Sequence, residues 1–114
     1  MVRTERSPAG TVQGVVRAPF DVYRLPDATL VVDVQSPLAS VHATRFVIPL
    51  LPLGDATPPI PRLNPQVSMD GQPWVLATHF ATTVDNRILT YPVGSVADQE
   101  WVIKGALDFL VNGF

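Results

Sequence analysis

The sequence predicts a mainly β, α+β domain in which about five or six antiparallel strands are followed by one C-terminal helix. Three observations carry this expectation. Between Phe20 and Tyr91 apolar residues recur at a period of two, as half-buried strands require. The pairs Asp70-Gly71 and Asp85-Asn86 break that pattern with residues that favour turns. From Gln99 onward the period becomes 3.6, and Val102, Ile103, Ala106, Leu107 and Leu110 line one face.

Residues 1–18 form an N-terminal extension, expected to be partly flexible, and residues 19–114 form the folded domain. Arg3, Glu5, Arg6, Ser7, Pro8 and Gly10 offer little apolar surface to bury, although Val15 and Val16 could add an edge strand. Phe20-Asp21-Val22-Tyr23 alternates as a first strand, and Pro26-Asp27 supplies the next turn. Thr29 to Gln35 puts Leu30, Val32 and Val34 on one face and Val31, Asp33 and Gln35 on the other. Arg45 to Leu50 is a dense apolar run and is expected to be central. Pro52 to Pro65 holds five of the twelve prolines and reads as a long, stiff connection, since proline cannot donate to a ladder. Gln66 to Met69 and Gln72 to Phe80 flank Asp70-Gly71, which suits a type I′ hairpin because both turn positions need positive φ. Asp85-Asn86 then leads into a strand from Arg87 to Tyr91, and Pro92-Val93-Gly94 ends the strands. Ser95 or Asp98 is placed to cap the helix. Glu100 and Lys104 form an i, i+4 pair in the favourable order, and Gly113 suits a left-handed cap.

Composition narrows the function. The formal charge is −2, only 16% of residues are charged, and the eight basic residues form no run. Binding to DNA or RNA by this chain alone is therefore not expected, because affinity for phosphates comes from clustered Lys and Arg. There are no cysteines, which excludes disulfides and thiolate chemistry. No apolar stretch reaches the roughly 18 residues of a membrane span, and the polar start lacks the hydrophobic run of a signal peptide. A soluble, cytoplasmic protein that requires no metal or cofactor is expected.

Motifs for catalysis are sparse. Gly10 and Gly14 lie outside any strand–loop–helix context, and no G-x-S-x-G or H-E-x-x-H pattern occurs. His42, expected in a loop, and His79, expected in a strand, read as ordinary histidines. Trp74 reads as a residue packed in the sheet. Trp101 stands beside Glu100 and off the apolar helix face, so both are candidates for partner contact, since tryptophan is enriched at binding hot spots. Leu38, just past a strand, either folds under the sheet or serves as an exposed anchor.

Several blocks, taken together, carry a resemblance. Phe20-Asp21-Val22-Tyr23 is followed by Val32-Asp33-Val34-Gln35-Ser36 and then, at a fixed spacing, by Arg45-Phe46-Val47-Ile48-Pro49-Leu50. Asp70-Gly71-Gln72-Pro73-Trp74, Val96-Ala97-Asp98, the helix with Ile103, Lys104 and Ala106, and the penultimate Gly113 complete the series. From about residue 20 to the end, this order resembles the CcdB family of toxins, whose pattern is VDVQS followed by R-x-VIPL.

The resemblance implies an SH3-like small barrel of about five antiparallel strands, with a small extra sheet and a C-terminal helix. It implies a homodimer with the helices near the dyad. It also implies a non-enzymatic toxin of a type II toxin–antitoxin system that binds the DNA gyrase A subunit and traps its cleavage complex. A CcdA-like antitoxin would neutralise it, and their complex would repress its own operon through DNA contacts made by the antitoxin. By position, the implied gyrase-binding residues are Leu38, Ala39, Asp108, Asn112, Gly113 and Phe114.

Three of these depart from the family pattern. Ala39 replaces a larger Ile, Asp108 replaces an Asn, and Asn112 stands where the family has a tryptophan that stacks on a gyrase arginine. A cation–π contact contributes about 0.5–2 kcal/mol, so its loss would weaken binding roughly two- to thirty-fold. Two alternatives accompany this reading. One is a MazF-like mRNA endonuclease on the same barrel, using His42 or His79 with Arg45 and Asp33 as acid/base and phosphate clamp. The other is a degenerate, non-toxic relative that only binds antitoxin.

Overall fold

A computed structural model describes residues 18–35, 43–54 and 60–113. Expectations for residues 1–17, including the strand at Val15 and Val16, and those for Leu38, Ala39, His42 and Phe114 lie outside the described residues.

Strands β1 (Asp21–Arg24), β2 (Leu30–Asp33) and β3 (Thr44–Pro52) form an antiparallel meander. The hairpin of β4 (Gln66–Met69) and β5 (Gln72–Leu76) follows, then β6 (Thr82–Asp85) and the two-residue β7 (Gly94–Ser95). The sheet order is β4-β5-β3-β2-β1-β7, with β6 branching from β3. The nine-residue β3 is central because it serves three partners. One edge pairs with β2 over Val47–Leu50, while the other pairs with β6 over Thr44–Val47 and then with β5 over Leu50–Pro52.

The two ends of the sheet meet. A Cβ on Gly94 of β7 would lie 2.6 Å from the Met69 sulfur of β4, so a larger residue at 94 would require the Met69 side chain to move. The sheet is therefore a nearly closed barrel, sealed at the seam by side-chain packing.

Burial follows the alternation. Phe20, Val22, Leu30, Val32, Ile48, Leu50, Val67, Met69, Leu76 and Val96 fill the main core, to which the helix adds Ile103 and Ala106. The opposite face of β1–β3 is also covered. Tyr23, Val31 and Val47 pack there with Leu89, flanked by Leu25, Val84 and Ile88. All four residues of β2 are buried, which explains its near-continuous valine run. Each fully buried aliphatic side chain contributes about 1.5–3 kcal/mol.

The Asp70-Gly71 turn has φ values of 53° and 78°, as a type I′ hairpin demands. Trp74 packs, half-buried, against the main core. Of the proline-rich connection, Pro52 is the last residue of β3 and the other described residues form no strand; the chain turns at residues 60–64, where the amides of Leu63 and Asn64 both donate to Ile60 O.

Three local expectations are corrected. The strand expected to run from Gln72 to Phe80 stops at Leu76, and Thr78–Phe80 is a 3-10 turn, so His79 is not on a strand. Arg87 to Tyr91 forms no strand. A 3-10 turn at Asn86–Ile88 is capped by Asp85; it packs the partly buried Ile88 against the second cluster and delivers Leu89 into it. Finally, neither Ser95 nor Asp98 caps the helix. The chain enters α1 (Glu100–Asn112) through a 3-10 turn at Ala97–Gln99, where Ser95 Oγ accepts only the Ala97 amide at 3.2 Å.

The helix is tied to the sheet by Gln99 instead. Its side-chain amide accepts from the Ser68 N–H and donates to the Ser68 carbonyl, both at 2.7 Å. That exchange covers the backbone groups of Ser68 on the edge strand β4, groups that would otherwise invite pairing with another chain.

Candidate partner-binding surface

Two parts of the domain carry the candidate residues: the outer face and end of α1, and the stem of the segment that follows β2.

The stem is built around a buried ion pair. Arg45 donates from Nε to Asp33 Oδ2 at 3.0 Å and from Nη2 to Asp33 Oδ1 at 3.1 Å. Both side chains are 0% exposed. Arg45 Nη2 also donates to Gln35 O at 3.3 Å, the Gln35 amide donates to Asp33 Oδ1, and the Phe46 amide donates to Gln35 Oε1 at 2.8 Å. The Val34 amide donates to Phe46 O, and the Asn86 amide donates to Ala43 O. The two chain ends that bracket residues 36–42 are thus held by one hydrogen-bonded network. Its members are the Asp, Gln and Arg of the VDVQS…R block, so that block encodes a structural clamp. Arg45 Nη1 is buried without a partner.

This geometry bears on the endonuclease alternative. A phosphate clamp must face solvent, whereas Arg45 and Asp33 neutralise each other in the interior. His79 is exposed, its Nδ1 accepts from Asn64 Nδ2 at 3.0 Å, and its ring lies 4.2 Å from that of Phe80, tilted by 38°. Among the described residues no group of three His, Asp or Glu side chains could hold a metal, and no helix is long and apolar enough to cross a membrane.

On α1, Ile103 and Ala106 are the buried residues and Leu107 packs beside them. Beyond Leu107 the helix becomes more exposed. Leu110 continues the core-facing side yet is 43% exposed, and Val111 is 78% exposed. Gly113 caps this projecting end at φ 78°, its amide donating to Phe109 O at 2.8 Å. The Arg62 guanidinium lies 4.9 Å from the Phe109 ring centroid and flanks the last turns.

The expected contact residues on the helix are all at the surface: Glu100, Trp101, Asp108, Asn112 and Gly113 are exposed. Glu100 is bonded to Lys104 at 2.9 Å, whereas Trp101 is 74% exposed. The end of the helix therefore places the exposed apolar Leu110 and Val111 beside the polar residues Asp108 and Asn112.

Among the described residues, the shortest exposed ion pair lies elsewhere. Arg87 Nη2 sits 2.7 Å from Asp85 Oδ2, and the Arg87 amide donates to Asp85 Oδ1. Hydrogen bonds from the Arg87 side chain and backbone lower the Asp85 carboxyl to about 2. Because the folded value is depressed, the interaction is complete above the ordinary value of 3.8 and is lost as pH falls toward about 2. In carboxyl NMR titrations, Asp85 should show a midpoint near 2, returning toward the ordinary range in Arg87→Ala. A midpoint unchanged by that substitution would contradict the assignment.

Sequence reasoning missed the Asp33–Arg45 pair. Twelve positions separate the pair, so no local periodicity joins them; the available signal was a lone Asp and a lone Arg inside apolar strands. Compared with known families, residues 19–113 match the family model described as CcdB protein. No curated protein matches the chain.

Proposed function

Because the chain belongs to the CcdB family, which spans residues 19–113, we propose that it is the toxin of a type II toxin–antitoxin pair that binds the DNA gyrase A subunit and traps its cleavage complex. The supporting observation is the projecting end of α1, where Leu110 and Val111 meet solvent and Gly113 turns the chain. Asp108, Asn112, Gly113 and Phe114, together with Leu38 and Ala39, are the proposed gyrase contacts.

The apolar overhang also supports a homodimer. Leu110 lies on the core-facing side of the helix yet is 43% exposed, and a second copy would bury it further. A CcdA-like antitoxin is the proposed neutralising partner, and DNA contacts in the repressing complex would come from the antitoxin, in keeping with the chain's charge of −2. The action is one of binding, with no catalytic residue assigned.

Induced expression tests the reading in cells. The full chain should arrest growth, co-expressed antitoxin should relieve the arrest, and deletion of Gly113-Phe114 should abolish it while leaving soluble protein. Growth unaffected by the full chain, with antitoxin binding intact, would instead identify a non-toxic relative.

A further inference from the structure

Of the three asparagines in the chain, only Asn112 precedes a glycine. An Asn-Gly step is able to modify itself, because the glycine amide nitrogen reaches the asparagine Cγ with no Cβ in the way. The structure closes this route at the other two asparagines and leaves it open at the third.

Asn64 is 3% exposed, its Nδ2 donates to Leu76 O at 3.2 Å, and the following Pro65 has no N–H to attack with. Asn86 begins a 3-10 turn, and its own amide is bonded to Ala43 O. The next nitrogen, that of Arg87, donates to Asp85 Oδ1 at 2.9 Å, and the Arg87 side chain is pinned to the same carboxylate. Asn112 differs on each count. It is the exposed last residue of α1, and its side chain has no hydrogen bond among the described residues. A Cβ built on Gly113 would meet no atom within 4 Å, so nothing crowds the path of its nitrogen. One hydrogen bond opposes the reaction, from the Gly113 amide to Phe109 O at 2.8 Å. The turn it closes is weakly held: Val111 is 78% exposed, and Ala106, the nearest buried helix residue, lies about two turns earlier. Terminal turns of this kind open at little cost in free energy.

We propose that Asn112-Gly113 is a self-modification site at which the end of α1 deamidates in the folded protein. The Gly113 nitrogen loses its proton to solvent and bonds to Asn112 Cγ. The Cγ–Nδ2 bond breaks, and the departing group takes up a proton and leaves as ammonia. Water then opens the cyclic imide at either carbonyl, giving aspartate or isoaspartate. The product puts a carboxylate at the negative end of the helix dipole and one turn beyond Asp108, so it loosens the last turn. Isoaspartate also lengthens the main chain at the cap. This chemistry holds whether or not the helix end meets gyrase.

The test follows the purified full chain by peptide mass spectrometry over days, folded in neutral buffer and, in parallel, unfolded in urea. The folded chain should exchange –NH2 for –OH at Asn112 alone, no more than about tenfold more slowly than the unfolded chain, since one hydrogen bond is the obstacle. The rate should rise with hydroxide concentration, and Asn112→Gln should abolish the acidic product. In urea, where the strain of a non-glycine cap is absent, Gly113→Ala should react several-fold more slowly. Separated by anion exchange, the aged form should exchange its Gly113 amide with deuterium faster than the fresh form. A folded chain that stays unmodified while the unfolded chain reacts overturns the proposal, as does no reaction in either state. Modification of Asn64 or Asn86 at a comparable rate overturns it too. Equal deuterium exchange in aged and fresh protein overturns the loosening of the last turn.

Discussion

Replacing Asp33 with alanine is expected to lower the unfolding free energy by about 3–5 kcal/mol, the usual cost of leaving one member of a buried ion pair alone. Arg45 would keep its charge in a site that is 0% exposed, with only the Gln35 carbonyl, among the described residues, left to accept from it. For a domain whose whole stability is of order 5–15 kcal/mol, that is a large fraction. Urea denaturation of purified protein reads the effect directly. Replacing both partners together, as Asp33→Leu with Arg45→Met, should recover most of the loss, because no uncompensated charge remains. A loss below about 1 kcal/mol in Asp33→Ala would show that the pair is hydrated and does not clamp the stem.

The second large effect concerns the helix. Ile103→Ala removes a fully buried side chain from the contact between α1 and the barrel, where Ala106 is the other buried residue. The expected loss is about 2–5 kcal/mol, from transfer and cavity terms together. Leu110→Ala, at a site 43% exposed in the protomer, should cost much less in dilute protein and more at concentrations where dimer forms. Concentration-dependent denaturation separates the two. Equal losses for Ile103→Ala and Leu110→Ala at low concentration would contradict the placement of the helix on the sheet.

Both substitutions bear on what was legible in the sequence. The Asp70-Gly71 hairpin could be read at once, since the requirement for two positive φ values is local. So could the two faces of β2, because strand alternation alone separates Leu30 and Val32 from Val31 and Asp33. The segment from Ala77 to Tyr91 was less readable. Its apolar residues announce burial but not conformation, and Ile88 and Leu89 reach the second cluster from a 3-10 turn as well as a strand would. Helix entry was misread for a related reason. The 3-10 turn at Ala97–Gln99 leads directly into α1, so the side-chain cap expected from Ser95 or Asp98 was not needed.

Among the candidate contact residues, the exposed helix face followed from periodicity, and the strong exposure of Trp101 agrees with its position off the apolar face. Asp33 and Arg45 were weighed as a phosphate clamp because an Asp and an Arg in apolar strands invite a catalytic reading; only their mutual burial assigns them to the scaffold.

The central claim is that this domain acts on gyrase through the end of its helix. It is tested most directly by incubating supercoiled plasmid with purified gyrase holoenzyme and increasing amounts of the protein, then denaturing and counting linear DNA. The account predicts linear product that rises with the protein, disappears when a CcdA-type antitoxin is added first, and is absent for the variant lacking Gly113-Phe114. Linear DNA no greater than with gyrase alone, from protein that is folded and dimeric, would contradict it.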